Sequence, residues 1–154
     1  MATLTLDASF RFEVQATSAP LDASRAEFVR RLRADGQLIA LLGGDIQKIV
    51  RRYRRATIIP SDFPIVTYFD LWHSVDDIVP LIEMTFQVDI WAEDGDKISE
   101  RILATLDQKP FGVLSSGEAN VTFLHCTDSR DDPVFDGDVE RKMLTFRVIA
   151  YRLK

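Results

Sequence analysis

The chain has 154 residues, 46% of them hydrophobic and 28% charged, with one cysteine, Cys126, and a formal net charge of −5. That length closes a single core without metal or cross-links, and a lone cysteine excludes an internal disulfide framework and a multi-cysteine zinc site. No apolar run approaches the roughly 20 residues that span a bilayer, and residues 1–19 lack the basic start and apolar block of a secretion signal, so a cytosolic protein of host or virus is expected.

The first predicted element is a strand. Ala2, Leu4, Leu6, Ala8, Phe10, Phe12, Val14 and Ala16 alternate with polar residues at every intervening position. Period 2 without a miss is the pattern of a half-buried strand. It fits an edge strand of the chain's own sheet, or an assembly arm whose Leu4, Leu6, Phe10 and Phe12 add to the sheet of a neighbouring copy. The expected organisation is therefore an arm over residues 1–19 and one domain over residues 20–154.

Ser18-Ala-Pro-Leu ends that strand, and Asp22 is placed to cap a helix carrying Ala26, Phe28, Val29, Leu32 and Ala34 on its apolar side. Asp35-Gly36 interrupts it, Gln37 to Leu42 makes another helical turn, and Gly43-Gly44 stops it. From Asp45 onward, Ile46, Ile49, Val50 and Tyr53 suit a short amphipathic helix. Its opposite face holds Lys48, Arg51, Arg52 and Arg55, with Arg54 adding to a basic patch.

Pro60 to Pro64 reads as a turn, Ile65 to Trp72 as a strand and Val75 to Pro80 as a connection. Ile82, Met84, Phe86, Val88 and Ile90 then alternate with Glu83, Thr85, Gln87, Asp89 and Trp91, giving one dry face and one wet face. The period switches to helical at Ile98, Ile102, Leu103 and Leu106, with Asp94 or Asp96 as the cap. A loop over Pro110 to Gly117 leads to a strand at Val121 to Cys126. Asp128 to Asp138 reads as a long hairpin tip, and Arg141 to Arg152 as the closing strand.

The fold class is α+β: a mainly four-stranded antiparallel sheet with two helices on one face, plus the N-terminal β arm. Phe86, Val88, Ile102, Leu106, Phe146 and Val148 would share the core. The second sheet face mixes Trp91, Ile149 and Tyr151 with Glu83, Asp89, Arg141 and Arg147, as an assembling subunit or a channel lining would.

Charge is divided along the chain. Arg25 to Arg55 holds nine basic residues against three acidic, a balance of +6; Asp70 to Glu140 holds seventeen acidic against four basic, a balance of −13. Such separation suits two solvated faces of different sign, or contact with an oppositely charged neighbour or nucleic acid.

No side-chain set forms a catalytic constellation, and no cofactor or metal is expected. His73, near Asp70, Asp76 and Asp77, is the one position for a hydrolytic base or metal ligand; a surface histidine beside a turn is the plainer alternative. His125 and Cys126 are successive in a strand and point to opposite faces, so they cannot pair as base and nucleophile. The acidic hairpin with Asp131, Asp132, Asp136 and Asp138 lacks the residue order of a calcium loop, which favours a solvated turn. Gly43-Gly44 lacks the lysine of a phosphate loop. The basic patch Lys48, Arg51, Arg52, Arg54 and Arg55 would contact phosphates, or form a helix face pairing with acidic neighbours.

Four pieces, in order, carry a resemblance: Phe28 to Gly44, Phe63 to Asp70, Phe86-Gln-Val-Asp-Ile-Trp-Ala92 with its following helix, and Asp132 to Val148. Over about Phe28 to Arg152 the chain resembles the tail-terminator or tail-completion (tail-to-head joining) proteins of long-tailed bacteriophages. The resemblance implies a non-enzymatic virion protein of the tail or neck, assembled in the host cytoplasm. It would form a ring, usually of six copies, that caps the tail tube and halts its polymerisation. The implied partners are further copies, the tube protein and the head-closure or connector protein, with DNA passing through the lumen and no membrane. Glu83, Gln87, Asp89 and Arg147 would line the lumen or an interface. The arm and the 48–55 segment exceed the family's usual pattern. A connector gripping DNA through residues 48–55 is the alternative, and a small hydrolase at His73 the remote one.

Overall fold

The computed structural model describes residues 23–52, 58–75, 81–109, 112–113, 119–132 and 140–152. The expected arm residues Leu4, Leu6, Phe10 and Phe12, and also Tyr53, Arg54, Arg55, Asp76, Asp77, Asp136 and Asp138, lie outside the described residues.

Two strands organise everything else. β3 (Leu81–Ala92) and β6 (Glu140–Arg152) run antiparallel in continuous register from Leu81↔Tyr151 to Ala92↔Glu140. Their alternation puts Ile82, Met84, Phe86, Val88 and Ile90 on the same face as Leu144, Phe146, Val148 and Ala150, all buried. β2 (Ile65–Val75) flanks β3, and β5 (Ala119–Asp132) flanks β6. β1 (Ile49–Arg51) and β4 (Gly112–Val113) complete one sheet in the order β1-β2-β3-β6-β5-β4. The sheet thus has six strands rather than the expected four: the four long ones form the antiparallel centre, and a parallel β1 occupies one edge.

Helices α1 (residues 23–34), α2 (Gly36–Leu41) and α3 (Gly95–Leu106) supply the rest of the core. Phe28 of α1 stacks on Phe86 with centroids 4.9 Å apart and meets Phe146 edge-on at 5.7 Å. Leu32, Leu38, Leu42, Ile98, Ile102 and Leu106 close around these rings. Each such fully buried side chain contributes about 1.5–3 kcal/mol.

The break between α1 and α2 falls at Asp35. Its backbone is extended, and its carboxylate accepts the N–H groups of Gln37 and Leu38, capping α2. The other oxygen accepts Arg101 Nε at 2.7 Å and the Thr105 hydroxyl, so one side chain locks α2 to α3. Gly43 and Gly44 follow α2 with φ of +77° and +81°, a left-handed conformation that suits residues without a Cβ.

The amphipathic helix expected from Asp45 does not form. Asp45 accepts Gln47 N–H and supports only a 3-10 turn over Ile46–Lys48, after which the chain extends as β1. Three forces favour the strand. Ile49 and Val50 are β-branched. The edge of β2 offers a ladder at Ile49↔Val66 and Val50↔Thr67. Arg33 Nη2 of α1 donates to the Ile49 carbonyl at 2.8 Å while Ile49 itself is fully buried. Two strands also outrun their expected ends: β2 passes a bulge between Asp70 and Trp72 to reach Val75, and β5 extends through Asp132. Among the described residues no helix is long and apolar enough to cross a membrane.

Candidate functional site

The face of the sheet turned away from the helices holds most of the residues that pattern alone offered as a surface. The register sets Trp91 beside Ile65 and Arg141, and Asp89 beside Thr67 and Met143. This end of the face is not wet. Thr67 and Asp89 are fully buried, and Gln87 and Trp91 nearly so. Gln87 Nε2 donates to Asp89 Oδ1 at 2.6 Å, Arg141 Nη2 lies 3.3 Å from Oδ2, and Arg52 Nη1 lies 3.8 Å from it. Both guanidinium carbons also sit over the Trp91 ring, at 5.3 Å for Arg141 and 5.4 Å for Arg52.

A buried carboxylate survives only with compensating charge, and here two cations supply it while the indole accepts them on its π system. Gln87 and Asp89 thus lie in a buried charge cluster rather than on the wet face that their alternation suggested. Glu83 and Arg147, further along the face, pair at 2.5 Å, and Arg147 is exposed. They remain surface positions.

The basic patch resolves into separate tasks. Lys48 Nζ reaches the Phe63 carbonyl at 3.4 Å. Arg51 Nη2 lies 3.4 Å from Asp70, a carboxylate that also receives Arg25 through a two-pronged pair. Arg52 turns to Asp89 on the other side of the sheet. Arg51, the last residue of β1, and Arg52, just beyond it, therefore turn to opposite faces of the sheet. The expected single cationic helix face is thus corrected for Lys48, Arg51 and Arg52.

The histidines and acids also take definite places. His73 lies inside β2 opposite Met84 rather than at a strand end, while Asp70 is committed to Arg25 and Arg51 on the helix-covered side. His125 Nδ1 meets Asp107 Oδ1 at 2.9 Å, and the same oxygen accepts the Cys126 N–H at 2.7 Å. That contact ties the end of α3 to β5. Sequence spacing gave no sign of it, since the two residues stand 18 positions apart across a loop. Burial pushes the Cys126 thiol above its ordinary value, which lowers its reactivity at neutral pH.

Asp131 is a strand residue rather than part of a hairpin tip. It lies 3.3 Å from Lys142 Nζ, which also bonds Asp96. The hydrogen bond to Asp96, then that to Asp131, outweighs desolvation and holds the Lys142 ammonium above its usual range. Asp132 continues β5 opposite Arg141. Among the described residues no three His, Cys, Asp or Glu side chains cluster as metal ligands.

A concave feature that pattern reading missed lies on the helix side. Arg30, Arg31, Asp35 and Gln37 meet Arg101, Thr105 and Lys109 around a groove of about 670 Å³. Its two walls are some 70 residues apart in sequence, so only the folded chain brings them together.

With the geometry in place, comparison with solved structures finds the same fold in a chain of a particle described as the virion of a native gene transfer agent (GTA). The TM-score is 0.66 and the identity 18%, covering 86% of this chain and 98% of that one. No protein-family model matches the sequence, and no curated protein does.

Proposed function

We propose that this chain is a structural protein of a phage-like virion, and within it a tail-terminator subunit. Copies form a ring, six being the expected number, on the end of the tail tube. The ring stops tube polymerisation, presents a surface to the head connector and leaves a lumen for DNA.

The observation that carries this is the fold shared over nearly the whole length of a virion component, in a chain whose sequence independently resembles tail terminators. The polar groups support it in a second way. Asp35, Asp70, Asp89 and Asp107 each join elements of the fold, as befits a rigid building block. The protein then works through surfaces rather than a reaction centre.

Deleting the gene tests this directly. Electron microscopy should show overlong tails or tails unjoined to heads, restored by the intact gene; tails of normal length attached to heads would reject the assignment. The DNA-gripping alternative rests on Arg54 and Arg55, since Lys48, Arg51 and Arg52 have internal partners. It requires duplex binding that falls with salt and with replacement of both arginines.

A further inference from the structure

The helix layer carries opposite charge at the two ends of α3. The groove lies along its C-terminal half, where Arg30, Arg31, Arg101 and Lys109 face only Asp35 among the lining residues, with Glu27 behind them. Four cations against two carboxylates leave a surplus of two positive charges. Arg30 is 63% exposed even while paired with Glu27, and Lys109 is exposed as well.

The other end is the start of α3, about 10 Å from Arg101 along the helix axis at 1.5 Å per residue. There Glu93, Asp94, Asp96 and Asp131 are all exposed. Among the described residues they are balanced by Lys97 and Lys142, each already paired with one or two of them.

Acids at a helix start and bases at its end accord with the helix dipole. That accounts for the sign but not for a groove of this size built by three helices. A cationic groove at one end and an acidic patch at the other are complementary in charge yet cannot meet within one copy. We infer that the groove is the socket of a head-to-tail contact, and that its occupant is the acidic end of a second copy of this chain. Contacts of this heterologous kind close into rings when the rotation between copies permits. The inference rests on the ring proposed above and names the surface that would join its subunits.

Mixed 14N/15N protein, coupled at low salt with a carbodiimide that joins lysine to carboxylate, tests it. A cross-link between Lys109 of one isotope and Asp94, Asp96 or Asp131 of the other is expected, falling roughly tenfold at about 0.5 M salt as screening sets in. The double variant Arg30→Glu/Lys109→Glu should lose self-association in sedimentation velocity. It should regain association when mixed with an Asp94→Lys/Asp131→Lys variant. Absence of the intermolecular cross-link, or self-association unaffected by the charge reversals, overturns the contact. Short duplex DNA that binds the wild type but not the Arg30→Glu/Lys109→Glu variant would assign the groove to nucleic acid and overturn it as well. The two proposals fail separately. Overlong tails in the deletion, cured by the charge-reversed gene, keep the terminator role and remove this socket. Normal tails in the deletion beside a charge-dependent cross-link do the reverse.

Discussion

The two faces of the sheet are both dry near β3, but by different physics. On the helix side, Phe28, Phe86, Phe146 and their aliphatic neighbours exclude water through shape alone. On the far side, only a few ångströms through the sheet, Asp89 is equally inaccessible and is held by Arg52, Arg141 and Gln87 around Trp91. An apolar core tolerates change in proportion to the volume lost. A charged cluster tolerates the loss of all its members far better than the loss of one, because the survivor is a buried unpaired ion. The two faces should therefore respond to mutation in opposite ways.

The largest effect is expected from Phe86→Ala, which removes the ring at the centre of the aromatic group and should lower unfolding free energy by about 3–5 kcal/mol in urea denaturation. Asp89→Ala should cost about 3 kcal/mol, the lower end for a broken buried pair because Arg52 keeps part of its surface in water. The decisive comparison is the triple replacement Arg52→Met/Asp89→Leu/Arg141→Met. It should recover most of the stability lost by Asp89→Ala, whereas no second replacement beside Phe86→Ala should do so without refilling the volume. If the triple variant is less stable than Asp89→Ala alone, the charge-compensation account of this face is wrong.

Asp35 sharpens the contrast, since it stands at the margin of the apolar side. Burial opposes its ionisation, but hydrogen bonds from Thr105, Arg101 and the Leu38 N–H prevail and hold its carboxyl below the ordinary 3.8. A carboxyl depressed in the folded state favours folding fully above its unfolded pKa, and that contribution is lost as pH falls through the folded value. Asp35→Asn should lower stability by about 1–2 kcal/mol at neutral pH, through the lost cap and the weakened link to α3. The gap from wild type should begin to shrink below about pH 4, where the unfolded chain takes up the proton, and narrow further as pH falls through the lower folded value. A gap constant down to acid pH would show that the carboxylate charge is not what holds α2 to α3. The smallest effect belongs to Glu83→Gln. Its partner Arg147 is exposed, so the thermal midpoint should not move measurably, even though both residues lie on the same sheet face as Asp89.

Much of this architecture could be read from the chain. The alternation of Ile82 to Ile90 and of Leu144 to Ala150 marked both central strands and their inner face. The stripe Ile98, Ile102, Leu106 marked α3, and Asp35-Gly36 marked the break between α1 and α2. What failed were short segments with two compatible periods. Ile46, Ile49, Val50 and Tyr53 fit a helix stripe as well as a strand edge, and the vacant side of β2 together with Arg33 settled the matter. The Asp107–His125 contact and the cationic groove were invisible because their halves come from distant parts of the chain.

The sequence by itself determined where the long central strands and the three helices run and which side of each is apolar. Those properties follow from side-chain order along a backbone with fixed periods of 2 and 3.6. Only the tertiary structure decided which polar residues would leave water. Asp89 and Gln87 are spaced like surface residues, and what buries them is the arrival of Arg52 from the sheet edge and Arg141 from a strand some 50 positions later. Whether an ion is inside or outside depends on the counter-charges that meet it, and local order along the chain does not contain that meeting.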